Sequence, residues 1–153
     1  MHAVDYLRLS DIDPADLLPF LNSEKVRKHL MQHPPFTVDT VTAWVNAKLE
    51  VDATAGCRVR AIVCDGALAG WCGIQLENES YELAIVIDER FWGLGHQVFN
   101  DMMRWAKELG HAEVLIHFLH TRRNYRFLNK IAKEVYQTEM FGTRFTTYRL
   151  RVE

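Results

Sequence analysis

Cysteine is scarce in this sequence. Its 153 residues include three, Cys57, Cys64 and Cys72, and no C-x-x-C pair. A small, odd number of cysteines, without the spacing typical of metal ligands, argues against a disulfide scaffold and against a zinc site. Cys64 and Cys72 lie in apolar runs, so we expect their thiols to pack as small hydrophobic side chains. This usage fits a reducing compartment, and we expect a cytoplasmic protein.

Long hydrophobic runs are also missing. No window reaches 18 apolar residues, and the first residues lack a basic region followed by an apolar one. The sequence therefore predicts no membrane span and no secretory signal. We find no repeat, linker or low-complexity segment. With 48% hydrophobic and 25% charged residues, residues 1–153 are expected to form a single globular domain with a real core.

The sequence has no large excess of charge of either sign, since its net charge is -2. This argues against a general nucleic-acid coat, and we predict no nucleic-acid partner. Residues 120–153 nevertheless hold eight Arg or Lys against three Glu, a local charge of +5 that leaves -7 for the first 119 residues. This basic end faces either an anionic ligand or solvent.

No metal site is predicted either. His117 and His120 are three apart on a predicted strand, so they point to opposite faces, and no third ligand is evident. We interpret both as structural.

The elements that are present alternate in a definite order: strand, helices, three strands, helix, strand, helix and two strands. Asp65-Gly66 predicts a tight hairpin inside the three-stranded meander. Gly70 and Gly73 either weaken the second of these strands or mark a close approach. Strands are predicted at residues 4–10, 58–63, 68–76, 81–87, 113–119, 135–138 and 145–152. Helices are predicted to start at Asp13-Pro14, at Glu24, after a Thr37 cap, after Gly95 and at Arg122.

One stretch organises the rest, from Glu82 to Gly110. An apolar, β-branched strand feeds a turn with Gly93 and Gly95, and that turn opens an amphipathic helix. Unpaired N–H groups at a helix start, together with the helix dipole, favour an anion. The sequence therefore predicts a phosphate-bearing ligand at Gly93–His96.

Two common phosphate motifs do not fit this turn. A dinucleotide-binding fold needs a third glycine, where this sequence has Val98, and an acidic residue at the end of the next strand, whereas Glu113 lies at the start of that strand. The strands upstream also form a meander and not a βαβ unit. A P-loop is excluded because no Gly-Lys-Ser/Thr follows. A nicotinamide-dependent oxidoreductase is accordingly disfavoured.

The pattern Arg90-x-x-Gly93-x-Gly95 in this setting resembles the GCN5-related N-acetyltransferases (GNAT). The segments around Leu21–Leu30 and Pro35–Trp44 look like the first helices of their ribosomal-protein alanine acetyltransferase subgroup. Tyr81–Ile87 and Asn124–Ile131 resemble the family's fourth strand and its Asn-led helix. The resemblance implies an α/β (α+β) fold with a mixed, strongly twisted sheet of about seven strands flanked by helices.

The resemblance also implies how acetyl-CoA is bound. Backbone amides of the turn would hold the pyrophosphate, with Arg90 adding charge. The fourth strand would offer backbone groups of Ile85 and Ile87 to the pantetheine arm, with Val86 as a further candidate. Asn124 would hydrogen-bond the pantetheine, or else serve as a helix cap or surface residue. The turn residues concerned are Trp92, Gly93, Leu94, Gly95 and His96.

Acetyl transfer to an amine needs a proton acceptor, because only the neutral amine is nucleophilic. Glu82, where the family often places a Glu, is our candidate base, directly or through water; otherwise it is exposed or paired to an Arg. Gln75 could position that water. We assign no general acid, because Ile131 stands where many members have Tyr.

The sequence thus predicts acetyl-CoA-dependent N-acetylation of a primary amine, either a protein N-terminus or a small-molecule amine. The alternative is a non-catalytic or regulatory CoA-binding module, which the missing Tyr at position 131 keeps open. A homodimer is compatible with both.

Overall fold

The structure is a computed structural model that describes residues 3–27, 34–119, 126–140 and 142–153. Its strands are β1 (Val4–Leu7), β2 (Arg58–Cys64), β3 (Ala67–Glu77), β4 (Ser80–Ile87), β5 (Glu113–Leu119), β6 (Ala132–Met140) and β7 (Thr143–Arg151). Its α-helices are α1 (Leu18–Leu21), α2 (Glu24–Arg27), α3 (Val38–Asp52), α4 (Gly95–Glu108) and α5 (Arg126–Ile131). Short 3₁₀ helices cover Leu9–Asp11, Pro14–Leu17 and Glu89–Leu94. This confirms the predicted order of elements.

The described strands form one mixed, seven-stranded sheet in the order β1-β2-β3-β4-β5-β7-β6. β4 and β5 are its parallel neighbours, and the other neighbouring strands are antiparallel. A doubly wound dinucleotide-binding sheet is built from parallel strands. The sheet therefore agrees with the predicted fold class and not with the nicotinamide alternative.

Two hairpins join β2, β3 and β4. Asp65 and Gly66 have φ of 50° and 84°, as a two-residue type I′ turn requires, which confirms the predicted hairpin. Gly70 lies against β4, where an added Cβ would come within 2.0 Å of the Val86 carbonyl oxygen. The close approach considered for Gly70 is therefore real, and only glycine fits there.

The parallel pair β4 and β5 is short. Its register consists of Glu82 opposite Leu115 and Leu83 opposite Ile116. Beyond these residues β4 continues along β3 as far as Ile87, and β5 continues along β7 as far as Leu119. The two strands thus separate toward their carboxyl ends, and the sheet is split there.

Hydrophobic clusters cover both faces of the sheet. α4 packs on one face through Val98, Phe99, Met102 and Ala106, as predicted, and also through Trp105. On the other face α3 contributes Val41 and Val45. Thr37 caps α3 in a capping box with Thr40, which confirms the predicted helix start. All three cysteines are free and buried, as expected for Cys64 and Cys72.

Several predicted element boundaries are wrong, among them the start of β6, which lies at Ala132 and not at Val135. β1 stops at Leu7 and not at residue 10, because Leu9 enters a 3₁₀ helix and is buried. The last helix ends at Ile131 and not near Lys133, because β6 begins at Ala132 and pairs with β7. Lys133 instead contacts Glu113 at 2.7 Å. The predicted start of that helix, at Arg122, lies outside the described residues.

Among the described helices, none is both long and apolar enough to cross a membrane.

Candidate active site

The amino end of α4 lies directly after the 3₁₀ helix that follows β4. Leu94 occupies the N-cap position, no side chain caps the helix there, and its first turn contains no acidic residue. An uncapped helix start without an acidic residue in its first turn keeps its positive dipole end available to an anion. One amide of the turn is already engaged, since the Gly95 N–H donates to the Trp92 carbonyl.

Gly93 and Gly95 are not required by the fold itself. Gly95 has φ of -53° and ψ of -43°, which is ordinary helical backbone. A Cβ added at Gly93 or Gly95 would meet no heavy atom within 4 Å. Neither backbone strain nor crowding among the described residues accounts for these glycines, so both positions are open to a ligand that approaches the backbone closely.

The side chains of the turn have mixed orientations. Arg90 is largely exposed and forms an ion pair with Asp88 at 3.4 Å, which leaves its guanidinium at the surface. His96 is exposed and stacks on Phe127 of α5, with 4.8 Å between ring centroids. Leu94 is buried in the core, so its side chain is not available to a ligand. The predicted roles of these residues toward acetyl-CoA remain predictions.

The fourth strand carries the other predicted cofactor residues. Ile85 is half-buried and Ile87 is buried, and both side chains pack on the α4 side of the sheet. The Ile87 carbonyl accepts a hydrogen bond from the Trp92 indole at 2.8 Å. That bond uses one of the two lone pairs of the Ile87 oxygen and fixes Trp92 beside the end of β4.

Glu82 lies where β4 and β5 still pair, on the sheet face covered by α3. Its Oε2 is 3.0 Å from Nε2 of His117, and the two side chains are 18% and 13% exposed. The sequence offered an exposed or Arg-paired Glu82 as the alternative to a base, whereas the partner is a histidine. His117, which we had interpreted as structural, therefore touches the candidate base. No sequence signal gave the β4–β5 register that joins them.

Gln75 on β3 lies directly opposite Glu82, as its predicted role of positioning a water near Glu82 requires. Its side-chain oxygen accepts a hydrogen bond from the Lys48 ammonium of α3, and this ammonium lies 4.7 Å from the centroid of the Trp71 ring. Burial lowers the pKa of Lys48, against the opposing effect of Glu77 and Glu82. A partly buried cation thus lies on the same face as Glu82, which sequence reasoning did not anticipate.

Two further predictions concern other parts of the site. Asn124 lies outside the described residues. Within the described ranges no group of three or more His, Cys, Asp or Glu side chains could hold a metal ion.

The family model described as the Acetyltransferase (GNAT) domain matches residues 6–128. The chain belongs to the GNAT acetyltransferase family. This match spans β1 to α5, including the split between β4 and β5 and the glycine turn. A search of proteins with curated descriptions gives no match.

Solved structures show the same GNAT fold at low sequence identity. A Salmonella typhimurium acetyl transferase that modifies the N-terminal serine of ribosomal protein L7/L12 has a TM-score of 0.74 at 13% identity, covering 99% of this chain and 95% of that one. A Vibrio cholerae spermidine N-acetyltransferase, in complex with CoA and spermine, has a TM-score of 0.73 at 13% identity, with the same coverage. A putative Salmonella typhimurium acetyltransferase with acetyl-CoA gives 0.71 at 13%, covering 100% and 95%. At such identities the likeness concerns the fold.

Proposed function

We propose that this protein transfers the acetyl group of acetyl-CoA to a primary amine. The observation that carries the proposal is the amino end of α4, which is uncapped and holds two glycines that the fold does not require. It lies at the end of β4, beside the place where β4 and β5 separate. Membership of the GNAT acetyltransferase family supports the same activity.

The residues present fit acetyl-CoA. Its pyrophosphate needs several donors without a competing carboxylate, and the first turn of α4 supplies backbone amides and contains no acidic residue. Arg90 is exposed beside this turn, where its guanidinium pairs with Asp88 and would also reach a bound phosphate. Ile85 and Ile87 lie on the part of β4 that no longer pairs with β5, so that strand edge could hydrogen-bond the pantetheine arm, although the Ile87 carbonyl also accepts from Trp92. Trp92, Gly93, Leu94, Gly95 and His96 complete the proposed binding residues.

Acetyl-CoA supplies an acetyl group activated as a thioester. The protein must supply a neutral amine, because an ammonium has no lone pair with which to attack. Glu82, a carboxylate on the half-buried face beside the strand separation, would accept that proton directly or through water. Ile131, which stands where many members have Tyr, is half exposed at the end of α5 and has no proton to give.

The non-enzymatic alternative is a CoA-binding module of the same fold. Ile131 is the observation that favours it, since it leaves the departing thiolate without an assigned acid. Ligand binding does not separate an enzyme from a binding module, because both would bind CoA. A measurement of turnover separates them, because only the enzyme forms an acetylated product.

The acceptor is proposed to be a protein N-terminus or a small-molecule amine. We propose to measure thiol release from acetyl-CoA with peptides that begin in Ala or Ser, with spermidine and with free amino acids. An enzyme releases thiol at a rate that rises with one acceptor class and acetylates that acceptor, as mass spectrometry would show. Acetyl-CoA binding with no acetylated product from any amine would contradict the enzyme and favour the binding module.

Three other expectations stay predictions: a single domain over residues 1–153, a cytoplasmic location and a homodimer. None of them is needed for the proposed chemistry.

A further inference from the structure

A chain of four polar side chains runs from β4 through β5 and β7 to β6. Glu82 Oε2 lies 3.0 Å from His117 Nε2, and His117 Nδ1 lies 2.7 Å from the Thr147 hydroxyl oxygen. That oxygen lies 2.7 Å from the hydroxyl oxygen of Thr138. Thr147 is fully buried. Both ring nitrogens of His117 are therefore occupied, one by the candidate base and one by a buried hydroxyl.

If the His117 imidazole is neutral, the donors and acceptors in this chain have one consistent order. An ionised Glu82 only accepts, so His117 Nε2 must carry the proton between them. A neutral imidazole then has a bare Nδ1, which accepts from the Thr147 hydroxyl. Thr147 can in turn accept from the Thr138 hydroxyl. Every polar atom between Glu82 Oε2 and the Thr138 hydroxyl has a partner, which a buried network needs in order to be stabilising.

We infer that His117 is a positioning residue for Glu82 in the proposed acetyl transfer, and that Thr147 sets its ring orientation. The inference rests on the proposed function. His117 holds Oε2 of Glu82, which leaves Oε1 to receive the proton of the acceptor ammonium. The proton passes from nitrogen to Glu82, while His117 keeps its Nε2 proton throughout. His117 itself cannot take the acceptor proton at Nδ1, because Thr147 covers that nitrogen.

Other charged groups reach this face from each neighbouring element. Burial lowers the pKa of Lys48 on α3 and the negative charge of Glu82 opposes this shift, while the Lys48 ammonium donates a hydrogen bond to the Gln75 side chain on β3. On β7 and β6, Arg149 and Tyr136 share the face of Thr147, and Arg149 pairs with Glu113 and Glu134. Among the described residues, only His117 forms an ion-pair contact shorter than 4 Å with the Glu82 carboxylate. His117 is therefore the residue that orients this carboxylate directly.

The first test is kinetic and uses the best acceptor from the panel above. His117→Leu removes the Nε2 donor and should lower kcat roughly tenfold or more, leaving the KM for acetyl-CoA unchanged. His117→Gln can place an amide N–H near the same position and should recover most of the loss. In the Glu82→Gln background, His117→Leu should have little further effect, because His117 acts through Glu82. Equal losses in both backgrounds would overturn the inference.

The second test addresses Thr147 and covers the case in which His117→Leu does not fold. Thr147→Val keeps the shape and removes the hydroxyl, so kcat should fall severalfold, whereas Thr147→Ser should restore it. Wild-type kcat in Thr147→Val would contradict the role of the hydroxyl in setting the imidazole.

A spectroscopic readout separates this inference from the proposed function. In the free protein with ¹⁵N-labelled histidine, NMR should show His117 as the Nε2–H tautomer, identified by the signal that His117→Gln removes. A His117 with its proton on Nδ1 would overturn the inference even if acetyl transfer is demonstrated. If the wild type acetylates no amine, the proposed function fails, and the tautomer then shows only whether the hydrogen-bond order is correct.

Discussion

At the scale of single residues, the candidate site combines a carboxylate, an imidazole and an ammonium on one half-buried face. Glu82 and His117 are in contact, and Lys48 lies near enough for its ammonium to be influenced by Glu82. Partial burial strengthens each electrostatic effect, because the effective dielectric constant falls away from bulk water. The strengthened contacts hold the Glu82 side chain in one position, out of bulk solvent.

Glu82→Gln is expected to lower kcat by roughly 10²- to 10⁴-fold, the usual contribution of a general base. The KM for acetyl-CoA should change little, because the proposed cofactor residues lie on the turn and the end of β4. The matched control is Glu79→Gln, which changes the same group at the exposed β3–β4 turn. If steady-state rates at several pH values are equal in wild type and Glu82→Gln, Glu82 is not the base.

The raised pKa of Tyr6 predicts that the protein loses stability at alkaline pH. Burial, followed by the hydrogen bond to Asp101, raises its pKa far above the ordinary value of about 10. Above pH 10 the unfolded chain loses the phenol proton while the folded protein keeps it, so the free energy of unfolding falls as pH rises. Tyr6→Phe should cost about 1 kcal/mol near pH 8 through the lost hydrogen bond, and this difference should shrink by pH 11.

Urea unfolding of wild type and Tyr6→Phe at pH 8, 10 and 11 measures the effect. A difference in unfolding free energy that stays constant over this range would contradict a half-buried phenol that keeps its proton.

At the scale of elements, α4 shows a position where binding and stability conflict. Gly95 is the first residue of the helix, has helical dihedral angles and leaves open space for a Cβ. Gly95→Ala should therefore stabilise the free protein by about 0.4–1 kcal/mol, because the unfolded chain loses freedom. Gly95→Trp should instead abolish acetyl-CoA binding while the fold survives, because the indole would fill the open space where the pyrophosphate would approach the backbone.

Asn100→Ala is the matched control, since it changes an exposed position of the same helix away from its amino end. It should alter stability without altering acetyl-CoA affinity. Thermal unfolding and titration calorimetry on these variants give the stability and the affinity. Undiminished binding by Gly95→Trp would count against a ligand at this helix start.

Local signals were sufficient to predict most elements. The Thr37 cap, the Asp65-Gly66 turn and the apolar stripe of α4 each follow from a few neighbouring residues, and all appear in the structure. The contact between Glu82 and His117 could not be predicted, because it depends on the register of two strands separated by α4. The end of α5 was misplaced for a similar reason: the ladder between β6 and β7 outweighs the local helical pattern at Lys133.

At the scale of the whole molecule, ion pairs within the sheet account for part of the local positive charge of residues 120–153. The basic carboxyl-terminal end is partly neutralised, since Lys133 and Arg149 contact Glu113, and Arg149 also contacts Glu134. These pairs join β5, β6 and β7, so this part of the basic end is a structural feature of the sheet. Arg90, next to the glycine turn, lies outside that network.

The most direct test of the central claim is titration calorimetry of acetyl-CoA into the wild-type protein, with CoA and NAD as comparison ligands. We expect saturable binding of acetyl-CoA and of CoA at one site per chain, and no binding of NAD. At a hundredfold excess over its Kd, acetyl-CoA should add about 2.7 kcal/mol to the free energy of unfolding. Absence of binding by both CoA species would contradict the proposal that the amino end of α4 holds the pyrophosphate of acetyl-CoA.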